Sequence, residues 1–305
     1  MSSKGKINTE VNTDEVKSLS LFQQSWIQFK RNRMAVVGLI VIGILILISL
    51  GTIIIDIVTK NAIYDQYVVA QNLTQRLAKP SAEHIFGCDE LGRDLFFRVL
   101  WGTRLSLFIG LAAIIIATVA GGILGLIAGY YGGVVDTAIM RVMDVLLAIP
   151  YMLLAMAIVS ALGTSTRNLL IALSVPNIAK YARIARAAVL TEKDKEYVEA
   201  MRANGAGDLL ILFKYILPNA FAPILVQVTL GIGDSILAVA GLSFLGIGVQ
   251  PPSAEWGAIL TTARTYMRDA MHVSVFPGAA LIITVMVFNL FGDGLRDAMD
   301  PKLKR

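Results

Sequence analysis

Charged residues are scarce in this chain of 305 amino acids: Asp, Glu, Lys and Arg make up only 16% of it, against about a quarter of a typical soluble domain. The charges gather in a few segments that long apolar tracts separate. The first tract, "MAVVGLIVIGILILISLGTIII" at 34–55, contains no charge. As a helix it would span roughly 33 Å, enough to cross a hydrocarbon core of about 30 Å. These tracts exclude a soluble globular protein and predict an all-α, polytopic membrane protein.

Groups that carry chemistry are also few. Cysteine occurs once, at Cys88, so an intrachain disulfide framework is excluded. No G-x-S-x-G, H-E-x-x-H or phosphate-loop pattern is present. His84, Cys88, Asp89 and Glu90 lie close together in sequence, but they fall short of the usual set of zinc ligands. We therefore expect no catalytic residue, no metal and no cofactor, and any ATP must be hydrolysed by another chain.

Six apolar tracts have the length of transmembrane helices. The first is too long for the apolar core of a secretory signal peptide and lacks a small-residue cleavage site after it, so we interpret it as a permanent span. Pro150 and Pro176 fall in the third and fourth tracts, and one of these two spans could be broken or tilted. The predicted spans are 34–58 and, approximately, 105–130, 142–162, 169–190, 222–248 and 274–291.

Basic residues predict the orientation of these spans. Segments 1–33, 131–141, 191–221 and 292–305, with the adjacent Lys180, Arg183 and Arg186, hold 18 of the 27 Lys and Arg residues. Because basic residues accumulate in cytoplasmic segments, both termini are predicted to be cytoplasmic. The resulting division is a cytoplasmic segment 1–33, the first span 34–58, an extracytoplasmic segment 59–104, a five-helix core 105–291 with a cytoplasmic loop near 191–221, and a cytoplasmic tail 292–305.

The segment 59–104 and the second span each contain a residue spacing that predicts a local contact. Asp94 and Arg98 are spaced for a weak surface ion pair on a short helix. Gly121, Gly125 and Gly129 recur every four residues in the second span, a spacing that lets helix backbones approach closely. We expect this stripe to pack against another helix, which the sequence does not identify; the ordinary glycine enrichment of membrane helices is the alternative.

Asp234 is the clearest acid within an apolar tract. Such residues are costly in a membrane and usually face the interior of a helix bundle or a water-filled path. One interpretation is an acid that lines or gates a pathway. The other is an Asp whose hydrogen bonds are satisfied between helices, with Gln227 or Ser235 nearby in sequence.

The stretch "EYVEAMRANGAGDLLILFKYILPN" at 196–219 is a polar module between two apolar tracts. Gly205 follows a helix-prone run, at a position where glycine adopts the left-handed cap without penalty, and Asp208 suits the start of a second helix. The second helix carries an apolar stripe, and the small residues clustered at the bend favour docking into a groove on another protein. The stripe is Leu209, Leu210, Phe213, Ile216 and Leu217, and the small residues are Ala200, Ala203, Gly205, Ala206 and Gly207.

This module resembles the EAA loop of ABC-importer permeases, in which E-A-A is followed by a glycine and then by I-x-L-P. Here the pattern reads Glu199, Ala200, Met201, then Gly205, then Tyr215, Leu217 and Pro218. Met201 replaces the second alanine and Tyr215 replaces the isoleucine, while the spacing is kept.

Other stretches resemble the dipeptide/oligopeptide/nickel permeases, in particular their C-type subunit. They are "WIQFKRNRMAVVGLIV", "FGCDELGRDLFFRVLWGTRLSL" with Cys88 where threonine is usual, "AGLSFLGIGVQPPSAEWGAIL" and "FGDGLRDAMDPKLKR". The resemblance runs from about residue 20 to the end of the sequence.

The resemblance implies a type I ABC-importer permease in the bacterial cell membrane, a subunit that is not itself an enzyme. It implies import of di- or oligopeptides, with nickel or another small solute as the alternative. A stand-alone secondary transporter would instead show inverted repeats and several mid-membrane ionisable residues, and neither is evident. The implied partners are a second, homologous permease in a heterodimer, two ATP-binding cassette subunits, an extracytoplasmic substrate-binding protein and membrane lipid, with no nucleic acid.

The resemblance also implies two sets of site residues. One set would couple the permease to the ATPase, and the other is a group of candidates for the translocation path. The coupling residues are Glu199, Ala200, Met201, Gly205, Ala206, Gly207 and Asp208; the path candidates are Asp234, Gly231, Gly233 and Ser235.

Overall fold

The computed structural model describes residues 21–299, so residues 1–20 and 300–305 of the predicted cytoplasmic ends lie outside the described residues. Helices account for most of this range, and no strand is formed within it. Single π-helical turns occur at Tyr64–Val69 and Ile211–Ile216. The α-helices are α1 (Leu21–Arg31), α2 (Arg33–Thr59), α3 (Leu95–Tyr131), α4 (Gly133–Ala148), α5 (Tyr151–Leu162), α6 (Thr166–Glu192), α7 (Glu196–Ala203), α8 (Asp208–Leu210), α9 (Leu217–Phe244), α10 (Trp256–Ala263) and α11 (His272–Met299).

Between residues 21 and 299, four helices are long and apolar enough to cross a membrane. They are α2, α3, the continuous helix Asp208–Phe244 and α11; α4 and α5, which meet at 90°, make a fifth if they are counted as one bent span. The helix α6 has the 27-residue length of α2, but its polar and charged residues give it too low a mean hydropathy to join this group. The count of six spans and the cytoplasmic termini therefore stay predictions.

The helix is interrupted at Pro150, the first of the two prolines that fall within the predicted spans. Ile149 is extended, with φ −95° and ψ 130°, and Pro150 precedes the first turn of α5. Proline disfavours the helical conformation of the residue before it, which explains the break. Pro176, in contrast, lies inside α6 without ending it. The segment 131–141, expected as a short turn, is mostly helical because α4 begins at Gly133.

The glycine stripe of α3 packs against α6, which confirms the predicted close approach and identifies the partner helix. A β-carbon at Gly125 would lie 2.8 Å from Ala185 Cβ, and one at Gly129 would lie 2.9 Å from Val189 Cβ. Gly121 likewise faces the backbone of α6 around Ile178. Distances this short leave no room for a side chain, so the α3–α6 interface depends on hydrogen atoms at these positions.

Buried charges join the N-terminal end of α3 to the segment that precedes it. Asp89, Arg93 and Arg98 are at most 5% exposed. The Asp89 carboxylate accepts from Arg93 Nε at 2.7 Å and lies 3.3 Å from Arg98 Nε, and Arg98 Nη1 donates to the Val68 carbonyl at 2.8 Å. The predicted surface pair between Asp94 and Arg98 is wrong, because Arg98 points into this cluster.

A second buried carboxylate ties α10 to α3. Glu255 is fully buried at the start of α10, where it accepts from Gly257 N at 2.9 Å and Ala258 N at 2.8 Å. It also accepts from Ser106 Oγ of α3 at 3.0 Å. These hydrogen bonds satisfy both the carboxylate and the first amides of α10, which stabilises that end of the bundle.

Candidate functional site

The polar module is a helix–turn–helix, as predicted. Helix α7 ends at Ala203, and Gly205 then adopts φ +77°, the left-handed conformation that favours glycine. The amide of Ala206 donates to the Met201 carbonyl at 3.0 Å and closes the turn. Asp208 begins the next helix, so the acid lies where the N-terminal end of the helix dipole stabilises a negative charge.

The inner face of the module packs on the ends of α3 and α6. Val198, Ile211, Leu212 and Ile216 are at most 2% exposed, and they form one apolar cluster with residues of those two helices. Hydrophobic burial of this kind fixes the module rigidly on the bundle. That cluster also contains Leu126, Tyr130, Ala188, Val189 and Ala220.

Polar contacts orient the module further. The Tyr130 hydroxyl donates to Asp208 Oδ1 at 2.7 Å, and the guanidinium of Arg202 lies 5.5 Å from the centre of the Tyr130 ring. At the other end the Tyr197 hydroxyl donates to Glu192 Oε2 at 2.9 Å. Burial and then this hydrogen bond raise the pKa of Tyr197, so it stays a protonated donor at neutral pH. Asp208 thus anchors the bend to α3.

The outer face of the module exposes apolar side chains. Leu209 is 68% exposed, Leu210 48% and Phe213 52%. They belong to the apolar stripe predicted from the sequence. The π-helical turn Ile211–Ile216 shifts the helical phase, and Ile211 and Leu212 are the buried side chains. Three members of the predicted stripe are therefore exposed to solvent, while Ile216 is fully buried.

Of the seven predicted coupling residues, five are exposed on this module and two turn toward the bundle. Glu199, Ala200, Gly205, Gly207 and Asp208 are exposed, whereas Met201 and Ala206 are partly buried toward the bundle. We call the exposed residues and the apolar side chains beside them, Leu209, Leu210 and Phe213, the docking surface, after the role proposed for it below.

Asp234 lies on an open face of the bundle. Its side chain is 71% exposed, and its Oδ2 is 3.9 Å from Nζ of Lys180 on α6. Sequence reasoning placed Lys180 with the inner boundary and missed this pairing. Neither Gln227 nor Ser235 bonds to Asp234 in the structure, so the interhelical alternative suggested by those neighbours receives no support.

Of the other three path candidates, Gly233 and Ser235 point away from that face, and Gly231 is buried against α6. Gly231 lies against the Tyr181 hydroxyl of α6, and Gly233 lies near Asn289 Oδ1 of α11, 3.2 Å from where its β-carbon would be. Ser235 is 1% exposed. At about 100° per residue, positions on either side of Asp234 point away from its face, and helical periodicity could have separated them in advance.

In the segment before α3, His84 has hydrogen-bonding partners and Cys88 is enclosed by the protein. His84 Nδ1 lies 2.8 Å from Asp94 Oδ2, and its Nε2 lies 3.0 Å from Gln75 Oε1. Cys88 is fully buried. Within residues 21–299 no three His, Cys, Asp or Glu side chains are arranged to hold a metal ion.

Cys88 should react slowly with maleimides. Burial, and then the nearby carboxylates of Asp94 and Asp89, raise the pKa of its thiol to about 11. Because the thiolate is the nucleophile, about one molecule in a thousand is reactive at pH 8. Labelling followed by mass spectrometry should show at least about a tenfold faster reaction for a cysteine at the exposed Ser81, in a Cys88→Ala background. Equal rates would contradict this placement.

Comparison with known proteins defines the class to which this geometry belongs. Residues 121–305 match the family described as binding-protein-dependent transport system inner membrane component. Residues 20–80 match the N-terminal transmembrane domain of oligopeptide transport permease C. The chain belongs to the family of binding-protein-dependent transport system inner membrane components, and it is a multi-pass membrane protein.

Curated relatives align over nearly the whole chain. A dipeptide transport system permease protein of Alkalihalophilus pseudofirmus is 43% identical over 291 residues, which cover 95% of this chain and 93% of that protein. A glutathione transport system permease protein of Escherichia coli O6:K15:H31 is 44% identical over 296 residues, covering 96% and 94%. The resemblance to the peptide permeases is therefore confirmed.

A solved structure supports the fold. The inward-facing MetNI methionine ABC transporter matches with a TM-score of 0.56 at 19% identity, over 68% of this chain and 98% of that chain. Identity this low supports only the architecture. The chain has the type I ABC-importer permease fold.

Proposed function

We propose that this chain is the membrane subunit through which an ATP-driven importer passes di- or oligopeptides. The docking surface carries the proposal, since a rigid, solvent-exposed bend with Leu209, Leu210 and Phe213 uncovered is suited to meeting another protein. The substrates for which the two relatives are named, dipeptide and glutathione, support peptides over nickel. No nucleotide-binding loop occurs in the sequence, so ATP is hydrolysed by partner subunits.

The mechanism follows from how the module is fixed. An ATPase subunit binds the docking surface, and Glu199 and Gly205 enter its cleft. Because Ile211 and Ile216 are fully buried in the bundle and Asp208 is bonded to Tyr130, movement of the ATPase is passed to α3, α6 and α9. The chemistry occurs elsewhere, and this chain converts it into alternating access.

The proposal includes an arrangement in the membrane. The docking surface lies on the cytoplasmic side, and 59–94 lies outside, where a substrate-binding protein delivers the peptide. The helix α6 is the sixth span: its charged residues are tolerated because they face partners within the protein, such as Asp136 for Arg186 at 2.6 Å. A second, homologous permease completes the path on the open face of Asp234.

Charge reversal at the docking surface tests coupling. Glu199→Lys should lower ATP-dependent uptake of a radiolabelled dipeptide by about tenfold or more, since a misplaced charge at an interface costs several kcal/mol. The measurement uses proteoliposomes with the complete transporter and its binding protein. Asp194→Lys, the same change at an exposed acid next to α6, is the matched control and should retain uptake.

Co-purification provides the second measurement. The detergent-extracted chain should retain an ATPase subunit, and Glu199→Lys should weaken that association. If no ATPase is ever retained and Glu199→Lys imports peptide at the rate of the unchanged protein, the proposed function is wrong.

A further inference from the structure

A groove of about 500 Å³ opens on the face of the bundle that carries Asp234. It lies between the α4–α5 break, α6 and α9. Its walls are mainly apolar, and its polar side chains are few. The lining includes Pro150, Tyr151, Asn177, Lys180, Asp234 and Leu237.

The two charges in this groove form an open pair. Lys180 Nζ and Asp234 Oδ2 are 3.9 Å apart, beyond hydrogen-bond distance. The pair one turn away, Arg183 and Asp144, is closed at 2.8 Å. Lys180 and Asp234 therefore attract each other and yet keep hydrogen-bonding capacity for a third group.

The groove cannot face lipid. Lys180 and Asp234 lie near the middle of α6 and α9, where a charge exposed to hydrocarbon is strongly unfavourable. The α4–α5 break at Ile149 and Pro150 adds backbone groups outside a regular helix, which membranes tolerate only within protein or beside water. Both observations indicate a polar occupant.

We infer that this groove binds the termini of a zwitterionic peptide in transit, with Asp234 receiving the α-ammonium and Lys180 the α-carboxylate. This inference rests on the proposed peptide import. One anion and one cation match the two charges that every unblocked peptide carries, whatever its sequence. The apolar walls at Leu237 and Pro150 do not select among the side chains of the peptide, which suits a path shared by many peptides.

Binding of a peptide in this way requires the pair to open. The ends of a dipeptide are roughly 7 Å apart at about 3.5 Å per residue, so the two side chains must separate as the ligand enters. The four-carbon stem of Lys180 allows this, since its ammonium is a flexible point charge. Asp234 then exchanges the Lys180 ammonium for the α-ammonium of the peptide. Lys180 in turn pairs with the α-carboxylate of the peptide, so both carboxylates stay paired.

The test compares free and blocked peptides in proteoliposomes that hold the complete transporter and its binding protein. The probes are trialanine, N-acetyl-trialanine and trialanine amide. Each variant is compared with the unchanged protein on the same peptide, so that the preference of the binding protein cancels. Co-purification of the partner subunits checks that each variant assembles.

Asp234→Asn should lower trialanine uptake by about tenfold, because a hydrogen bond to a charged group contributes about 1.5–3 kcal/mol. Uptake of N-acetyl-trialanine, which has no ammonium, should change by less than about twofold. Lys180→Gln should show the opposite selectivity, with trialanine lowered and trialanine amide spared. Asp144→Asn, on the closed neighbouring pair, is the matched control and should affect free and blocked peptides equally.

Equal losses on free and blocked peptides would overturn the inference and leave the pair as a structural contact; so would unchanged uptake in both variants. If the unchanged transporter imports none of the peptides, the proposed function itself fails, a result distinct from the others.

Discussion

Replacing Gly125 with alanine should lower the free energy of unfolding by about 1–3 kcal/mol, the usual cost of overpacking a tight contact. A β-carbon there would lie 2.8 Å from Ala185 Cβ and 2.9 Å from Arg186 N, with the Ala182 carbonyl closer still. Backbone atoms cannot swing aside as a long side chain can, so α3 and α6 must separate. Thermal unfolding of the purified transporter, followed by tryptophan fluorescence, measures the effect.

Gly122 gives a matched control on the same helix. A β-carbon at Gly122 would meet nothing within 4 Å, and alanine is a better helix former than glycine by about 1 kcal/mol. Gly122→Ala should therefore leave the unfolding temperature unchanged or raise it. Equal effects of the two substitutions would show that α3 and α6 are not in the close contact described.

Asp89→Asn should be more damaging, with a loss of about 3–5 kcal/mol, as when one partner of a buried ion pair is removed. Asparagine keeps the shape but removes the charge, which leaves Arg93 and Arg98 buried with insufficient compensation. The segment before α3 should open first, since Asp89 also accepts from the amides of Leu91 and Arg93 at 2.9 Å. Hydrogen exchange across 84–98 would detect that opening.

Glu83→Gln supplies the comparison for Asp89. Glu83 is an exposed acid in the same outer segment, and neutralising an exposed charge changes stability little. If residues 84–98 keep wild-type protection from hydrogen exchange in both variants, the buried cluster does not stabilise the segment before α3.

Hydropathy and turn chemistry predicted much of this architecture. The tract 34–58 corresponds to α2 (Arg33–Thr59), and the glycine at the bend of the module has the positive φ expected of it. Both features are local, because they depend on residue type and spacing within one segment. Helix α10 was not predicted, since its eight residues are too few for a periodic signal.

Features that depend on packing between helices were harder to predict from the sequence. Pro150 and Pro176 have the same local chemistry, yet only the first breaks its helix; α6 is held on several sides by α3, α5 and α9, whereas the α4–α5 junction lies on the open face. The π-helical turn at Ile211–Ile216 could not be foreseen either, and it determines that Leu210 faces outward.

Pairs distant in sequence were the hardest to predict. Lys180 and Asp234 belong to different helices, and only the crossing of α6 and α9 brings them to 3.9 Å. Periodicity alone could show that Asp234 points away from Gly233 and Ser235. It could not show what Asp234 faces.

The continuous helix from Asp208 to Phe244 connects the docking surface to Asp234. Its N-terminal end carries part of the docking surface, and Asp234 lies roughly 39 Å farther along the helix at about 1.5 Å per residue. A tilt of about 5° at the inner end would therefore displace Asp234 by about 3 Å. That travel is comparable with the 3.9 Å gap to Lys180, so a small rotation at one end is enough to open or close the ion pair at the other.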